Sequence, residues 1–140
     1  MNIKYKILLD YIKDLSVETP DVESLITARE YISKYSLMID ITSKVLKKKI
    51  IEVNTKFMYS DRTKNKKKTY FEMTYSTVVD IEEEKPNEEE LKKFILCDLQ
   101  VKIYPKMEKA FIEILKLSGF SNLNLKGKVD FEKLYNERLN

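Results

Sequence analysis

The stretch YSLMIDITSKVLKKKIIEVNTKFMY, residues 35–59, sets the fold class because its apolar and polar side chains alternate. Every second residue from Tyr35 to Ile41 is apolar, and the same alternation resumes with Ile51, Val53, Phe57 and Tyr59. A period of two is typical of a strand with one buried face. Three lysines at 47–49 separate the two halves, and we predict a turn there.

A third strand is predicted beyond the polar run DRTKNKKK at 61–68, which is typical of a hairpin loop. Its apolar residues again share one parity: Phe71, Met73, Tyr75, Val79 and Ile81. Three consecutive strands with short polar connections predict an antiparallel meander.

After the acidic segment 82–90 the apolar period changes to three or four residues, which predicts helices. Asn87 followed by three glutamates is typical of a helix start, because its side chain and the carboxylates suit free backbone N–H groups. Pro105 is expected to interrupt this helix and to begin a new one. Gly119 is expected to end the second helix, and a last helix is predicted from about Asp130.

The N-terminal third of the chain does not predict a single type of secondary structure. Residues 3–11 are compatible with a helix, whereas Leu15 and Val17 alternate as in a strand before Pro20. Residues 21–33 are apolar without turn residues, and we interpret them as a core-packed or helical segment rather than a binding surface.

The order of elements along the whole chain, with strands first and helices afterwards, predicts an α+β fold.

The composition excludes several classes of protein. The 140 residues suit a single domain, 1–140, with a formal net charge of +3. Without histidine there is no Ser-His-Asp machinery and no imidazole metal site, and two glycines cannot build a Walker A loop. One cysteine, Cys97, allows no internal disulfide and is expected in the core. We therefore expect no enzyme and no cofactor.

No apolar stretch approaches the roughly 20 residues that a membrane span needs, and the N-terminus lacks a signal-peptide core. We therefore expect a cytoplasmic protein without membrane insertion.

The segments YIKDLSVETP (11–20) and GFSNLNL (119–125) resemble two motifs of the SecB protein-export chaperones. Residues 11–20, YIKDLSVETP, are similar to the family's Tyr-x-Lys-Asp-(apolar)-Ser-x-Glu-x-Pro segment. Residues 119–125, GFSNLNL, with Val129-Asp130-Phe131 and Leu134-Tyr135, resemble its C-terminal motif. Tyr104-Pro105 matches an aromatic-proline step between them, so the resemblance covers nearly the whole chain.

This resemblance implies a four-stranded antiparallel sheet followed by a long broken helix and a C-terminal helix, assembled as a homotetramer, a dimer of dimers. It also implies binding of unfolded preproteins in hydrophobic grooves, their transfer to the export motor SecA, and neither catalysis nor cofactor. The residues that it implies for client binding are Leu25, Ile26, Tyr31, Phe131, Leu134 and Tyr135. Those that it implies for receiving SecA are Asp14, Glu18 and Glu72.

The chain also departs from the family pattern. Its charge is +3 where common members are acidic, Ser76-Thr77 replaces a glycine pair, and the acidic tail is missing. A variant function is therefore a solitary SecB-like chaperone that stabilises the antitoxin of a toxin–antitoxin module. An alternative from another class is a small basic nucleic-acid-binding protein using 47–49 and 62–68. We do not favour it, because the loop 61–68 carries no interleaved aromatic residues.

Overall fold

A computed structural model of the chain describes residues 3–61, 69–82, 86–120 and 129–138. The four strands are β1 (Tyr5–Glu18), β2 (Tyr35–Lys47), β3 (Ile50–Asp61) and β4 (Tyr70–Ile81). The helices are α1 (Val22–Glu30), α2 (Glu88–Lys93), α3 (Leu99–Leu117) and α4 (Phe131–Arg138). A 3-10 turn, Ile32–Lys34, follows α1, and a π turn, Phe94–Asp98, joins α2 to α3. The predicted loop at 62–68 and residues 121–128 of the C-terminal motif lie outside the described residues.

The strands form one antiparallel sheet in the order β1-β4-β3-β2. This confirms the predicted meander of β2, β3 and β4 and the four-stranded sheet that the family resemblance implied. The segment 21–33 is helical, as predicted, and carries the chain from β1 across to β2 on the opposite edge.

The N-terminal segment is a 14-residue strand, and the structure shows why its pattern was ambiguous. The pairing of β1 with β4 shifts between Ile7 and Leu9 and again between Ile12 and Asp14. Each shift inserts one extra residue, Leu8 and then Lys13, and each extra residue reverses the parity of the alternation. The core-facing side chains of β1 therefore follow no unbroken period of two, and only Tyr5 and Ile7 at its start pack half-buried against the core.

The expectation of a break at Pro105 is wrong, because α3 runs straight through this proline. A proline leaves the carbonyl four residues earlier without its N–H partner. That residue, Val101, is exposed, so water can supply the missing hydrogen bond. The irregularity lies upstream, in the π turn, where the buried Gln100 donates its side-chain Nε2–H to the Ile95 carbonyl at 3.1 Å.

Both predicted helix termini are confirmed by local hydrogen bonds. Asn87 accepts from the backbone N–H groups of Glu89 at 2.8 Å and Glu90 at 3.4 Å. At the other end Gly119 has φ +102°, and Phe120 donates its N–H back to the Leu115 carbonyl at 2.9 Å. This is the reversed turn that favours glycine after a helix.

One face of the sheet packs against the helices and forms the core. Phe57 contacts Phe111 edge to face, with 5.5 Å between ring centroids, and Phe71 contacts Phe120 at 5.3 Å. The hydroxyl of Thr55 donates to Gln100 Oε1 at 2.8 Å across this core. Cys97 is buried there, as predicted, and burial raises the pKa of its thiol, with smaller contributions from Asp98, Glu132 and Asp130.

Candidate functional site

The first helix presents an apolar stripe to solvent. Asp21 caps α1 by accepting from the Ser24 N–H at 2.7 Å. The inward side of α1 uses the half-buried Leu25, which meets the end of α3, since a Cβ added at Gly119 would lie 3.3 Å from the Leu25 Cδ1. The outward side carries Val22 and Ile26, which are 61% and 52% exposed. We call Val22, Ile26 and the exposed Tyr31 the α1 surface.

The last helix is anchored by one aromatic residue and lines a groove. Phe131 is buried, with its ring centroid 5.6 Å from that of Tyr104, whereas Leu134 is exposed and Tyr135 half-buried. The groove beside α4 has a volume of about 770 Å³. Its apolar lining is Ile3, Tyr5, Phe94, Val101, Val129 and Phe131, and its carboxylates are Asp98, Asp130 and Glu132. We call it the α4 groove.

The six client-binding residues of the prediction therefore lie in two places. Leu25 and its neighbours contact the C-terminal end of α3 at Gly119, whereas Phe131 contacts Tyr104 in its first half. At 1.5 Å per residue, these two points on α3 are about 20 Å apart. Within one chain the structure gives two separate apolar surfaces rather than one.

A third apolar groove was missed by sequence reasoning. It lies between the free edge of β2 and the start of the long helix, with a volume of about 300 Å³. Its apolar lining is Ile41, Leu91, Ile95 and Leu96. The sequence shows these residues as core positions of a strand and a helix, and only their packing leaves an open groove between them.

The edge strand β1 carries a second feature that sequence reasoning missed. Large apolar side chains on both of its faces are 38–52% exposed: Leu8, Leu9, Tyr11, Ile12, Leu15 and Val17. We call them the β1 edge surface. An exposed apolar edge strand is a template for pairing with another chain. These apolar residues were visible in the sequence, interrupted by charged ones, but not that the strand lies at an edge.

The three acidic residues implied for SecA converge on the face of the sheet that points away from the helices. Ser16 of β1 lies directly opposite Glu72 of β4, so Glu72 is diagonal to both Asp14 and Glu18. Lysines accompany them, since Lys56 Nζ is 3.7 Å from Glu72 Oε2 and Lys13 pairs with Glu52. The acidic cluster thus exists, but its charge is partly neutralised.

Apolar side chains line each of these surfaces. Within the described ranges no group of three or more acidic or cysteine side chains could hold a metal ion. Buried tyrosines are shifted away from ionisation, and desolvation raises the pKa of Tyr35 to about 12. No helix in the described part of the chain has the length and apolarity to cross a membrane. The described residues thus form open apolar grooves on an α+β scaffold, and such surfaces are typical of sites that bind another chain.

The sequence comparisons give the family. The family described as preprotein translocase subunit SecB matches residues 2–140. A putative protein-export protein SecB of Pelagibacter ubique (strain HTCC1062) is 45% identical over 140 residues, covering the whole of both chains. The chain therefore belongs to the SecB family, and it is a SecB-like chaperone rather than an enzyme.

Two solved structures share the fold. The SecB-like chaperone of Mycobacterium tuberculosis, in complex with a ChAD peptide from the HigA1 antitoxin, has a TM-score of 0.64 and 12% identity over 89% of this chain and 88% of that chain. A protein of unknown function from Streptococcus agalactiae has a TM-score of 0.56 and 8% identity over 92% of this chain and all of that chain. At these identities the likeness concerns the fold alone.

Proposed function

We propose that this chain acts as a single domain, 1–140, in the cytoplasm, where it holds unfolded preproteins before export. The observation that carries the proposal is the set of open apolar surfaces: the α1 surface, the α4 groove and the groove beside β2. Each Å² of apolar area removed from water contributes about 25 cal/mol, so an extended client accumulates affinity over many small contacts. Selection then depends on the client remaining unfolded rather than on its sequence.

The client-contacting residues of the proposal are those of the family resemblance. Ile26, Tyr31 and Leu134 are exposed and would contact the client directly. Leu25, Phe131 and Tyr135 are half-buried or buried, and they would hold α1 and α4 in place. Beside β2 an extended client could also pair with the free strand edge, which makes no demand on its side chains.

A homotetramer, arranged as a dimer of dimers, belongs to the same proposal. The β1 edge surface supports one of its interfaces, because a second copy could cover the six exposed side chains and the free backbone edge.

SecA is the proposed receiving partner, with Asp14, Glu18 and Glu72 as its docking residues. Their shared face suits a basic partner segment through charge complementarity. Lys13 and Lys56 weaken that attraction. Because the attraction acts between exposed charges, we expect binding to decrease as salt rises.

The test measures aggregation of a slowly refolding client by light scattering. Wild-type protein should suppress aggregation at a stoichiometric ratio, and a variant with Ile26→Ser, Tyr31→Ser and Leu134→Ser should lose most of this effect. Each exposed side chain contributes on the order of 1 kcal/mol on burial, so the triple change should weaken binding by roughly a hundredfold. Met38→Thr is the matched control, since Met38 is similarly exposed but lies on the outer sheet face.

Failure of the wild-type protein to delay aggregation would overturn the proposal. An equal loss of aggregation suppression in the triple variant and in the control would also overturn it. Polypeptides captured with the protein from cells give a second readout. Preproteins are the expected clients, whereas a single antitoxin as the dominant client would indicate the toxin–antitoxin variant instead.

A further inference from the structure

The turn between β2 and β3 exposes apolar side chains among lysines. Val45 is 65% exposed and Leu46 is 45% exposed, although both belong to β2. The register shifts between Val45 and Lys47, so Leu46 is an extra, bulged residue without a cross-strand partner. Lys44, Lys47 and Lys48 are exposed and Lys49 is half-buried. We call residues 44–49 the basic hairpin tip.

Neither turn geometry nor ion pairing explains these lysines. Lys48 and Lys49 form the whole connection, and among the described residues only Gly119 has a positive φ. The turn therefore makes no use of the residues that two-residue hairpins usually require. None of the four lysines forms an ion pair with a described residue.

Among the described residues, the nearby carboxylates leave an excess of positive charge. Glu52 lies opposite Lys44 and interacts with it electrostatically, but it pairs with Lys13. Asp80 lies between Lys6 and Ile50 on the neighbouring strands, Glu82 directly follows β4, and Glu88 borders the groove beside Ser43. These carboxylates are outnumbered by Lys13, the four tip lysines, Lys4 and Lys6.

Two further lysines extend the positive charge along the same end of the sheet. The N–H of Ile81 donates to the Lys49 carbonyl at 2.8 Å, and the N–H of Glu82 donates to the Lys4 carbonyl at 3.0 Å. These two hydrogen bonds place Lys4 level with the hairpin tip, three strand spacings or about 14 Å away. Lys6 is exposed like Lys4 and lies opposite Asp80 of β4. A flat anionic surface that approaches this end would meet both groups of lysines.

We propose that the basic hairpin tip docks peripherally on an anionic lipid surface. Val45 and Leu46 enter the boundary between headgroups and acyl chains, and the flanking lysines contact the anionic headgroups. Reversible membrane docking needs two weak signals together, an apolar insertion and a basic patch, and the tip supplies both. The exposed tip residues are aliphatic rather than aromatic, which suits lipid and offers no stacking platform for nucleic-acid bases. The docking is separate from client binding and goes beyond the proposed function.

Co-sedimentation of the full chain with lipid vesicles tests this docking. Wild-type protein should bind vesicles in which about a third of the phosphatidylcholine is replaced by phosphatidylglycerol, and should not bind pure phosphatidylcholine. Lys47→Gln with Lys48→Gln should weaken binding about thirtyfold, since each lysine near such a surface contributes about fivefold. Val45→Thr with Leu46→Thr should weaken it on the order of tenfold and retain the salt dependence.

The matched control is Lys102→Gln with Lys109→Gln, which removes the same charge from exposed positions on α3. It should bind vesicles within about twofold of wild type. All variants should retain wild-type suppression of client aggregation and wild-type circular dichroism, which separates docking from folding and from chaperone activity. Any one of four results would overturn the proposal. The first two are equal binding to both vesicle types and an equal loss of vesicle binding in the control. The other two are unchanged vesicle binding after the Val45 and Leu46 changes, and binding to DNA without binding to vesicles.

Discussion

Asp10 connects the edge strand to the long helix through a single side chain. Lys106 Nζ lies 2.9 Å from both Asp10 carboxylate oxygens, and Tyr75 also hydrogen-bonds to this carboxylate. Burial acts to raise the pKa of Asp10, but the hydrogen bonds from Lys106 and Tyr75 outweigh it, and the net pKa lies below the ordinary 3.8. Since β1 otherwise contacts mainly β4, this pair helps to orient α3 over the sheet.

Asp10→Asn should destabilise the protein at neutral pH and much less in acid. The depressed pKa means that the native state favours the ionised carboxylate, so its contribution is complete well above pH 3.8. The contribution is lost as the pH falls through the native-state pKa, because the carboxylate is then protonated in both states. Urea midpoints of wild type and variant, measured from about pH 7 to about pH 2, should therefore converge at low pH. A difference in midpoint that stays constant over this range would contradict the assignment.

At the scale of elements, the end of α3 positions α1. The reversed turn at Gly119 sends the chain back so that Phe120 contacts Phe71, while the open side of the glycine receives Leu25. Gly119 therefore both ends one helix and provides the contact for another. This junction helps to orient the α1 surface, because Leu25 of α1 packs against Gly119 just beyond the end of α3.

Gly119→Ala should destabilise the protein by about 1 kcal/mol or more. An alanine at φ +102° is strained, and its Cβ would lie 3.3 Å from Leu25 Cδ1, so the Leu25 side chain would have to move slightly. Chemical denaturation measures the loss. The double variant Leu25→Ala, Gly119→Ala removes the contact but keeps the backbone strain, so it separates the two causes. An unchanged free energy of unfolding in Gly119→Ala would contradict the conformation assigned to this residue.

At the scale of the whole molecule, the two edges of the sheet are chemically different. The β2 edge ends in the basic hairpin tip, whose lysines would repel the same edge of a second copy. The β1 edge instead carries six exposed apolar side chains on both faces. A second copy is therefore expected at β1, which leaves β2, its groove and the hairpin tip open.

Charges introduced at the β1 edge should disrupt the oligomer. Leu9 and Leu15 lie on opposite faces of β1 and are both about half exposed, so Leu9→Lys with Leu15→Lys should leave the single chain folded. Light scattering should give the mass of four chains for wild type and a smaller species for the variant. Met38→Lys on the β2 edge is the control and should keep the wild-type mass. A variant that retains that mass would place the interface elsewhere.

Local patterns in the sequence determined much of this fold. Alternation predicts β2, β3 and β4, and Asn87 and Gly119 predict two helix ends, because each signal depends only on residues that are neighbours along the chain. Pro105 shows the limit of such signals. Its neighbours Tyr104 and Met107 are buried, so tertiary packing maintains a helix that the proline would otherwise interrupt.

Only the tertiary structure decided which of these elements meet. The two bulges of β1, and therefore the pairing that brings Asp14, Glu18 and Glu72 onto one face, depend on the register against β4. The residue types of the α1 surface and the α4 groove were predictable, but their separation follows from where each helix packs along α3. A sequence records which side chains favour burial, whereas register and packing between distant segments determine which of them remain exposed together.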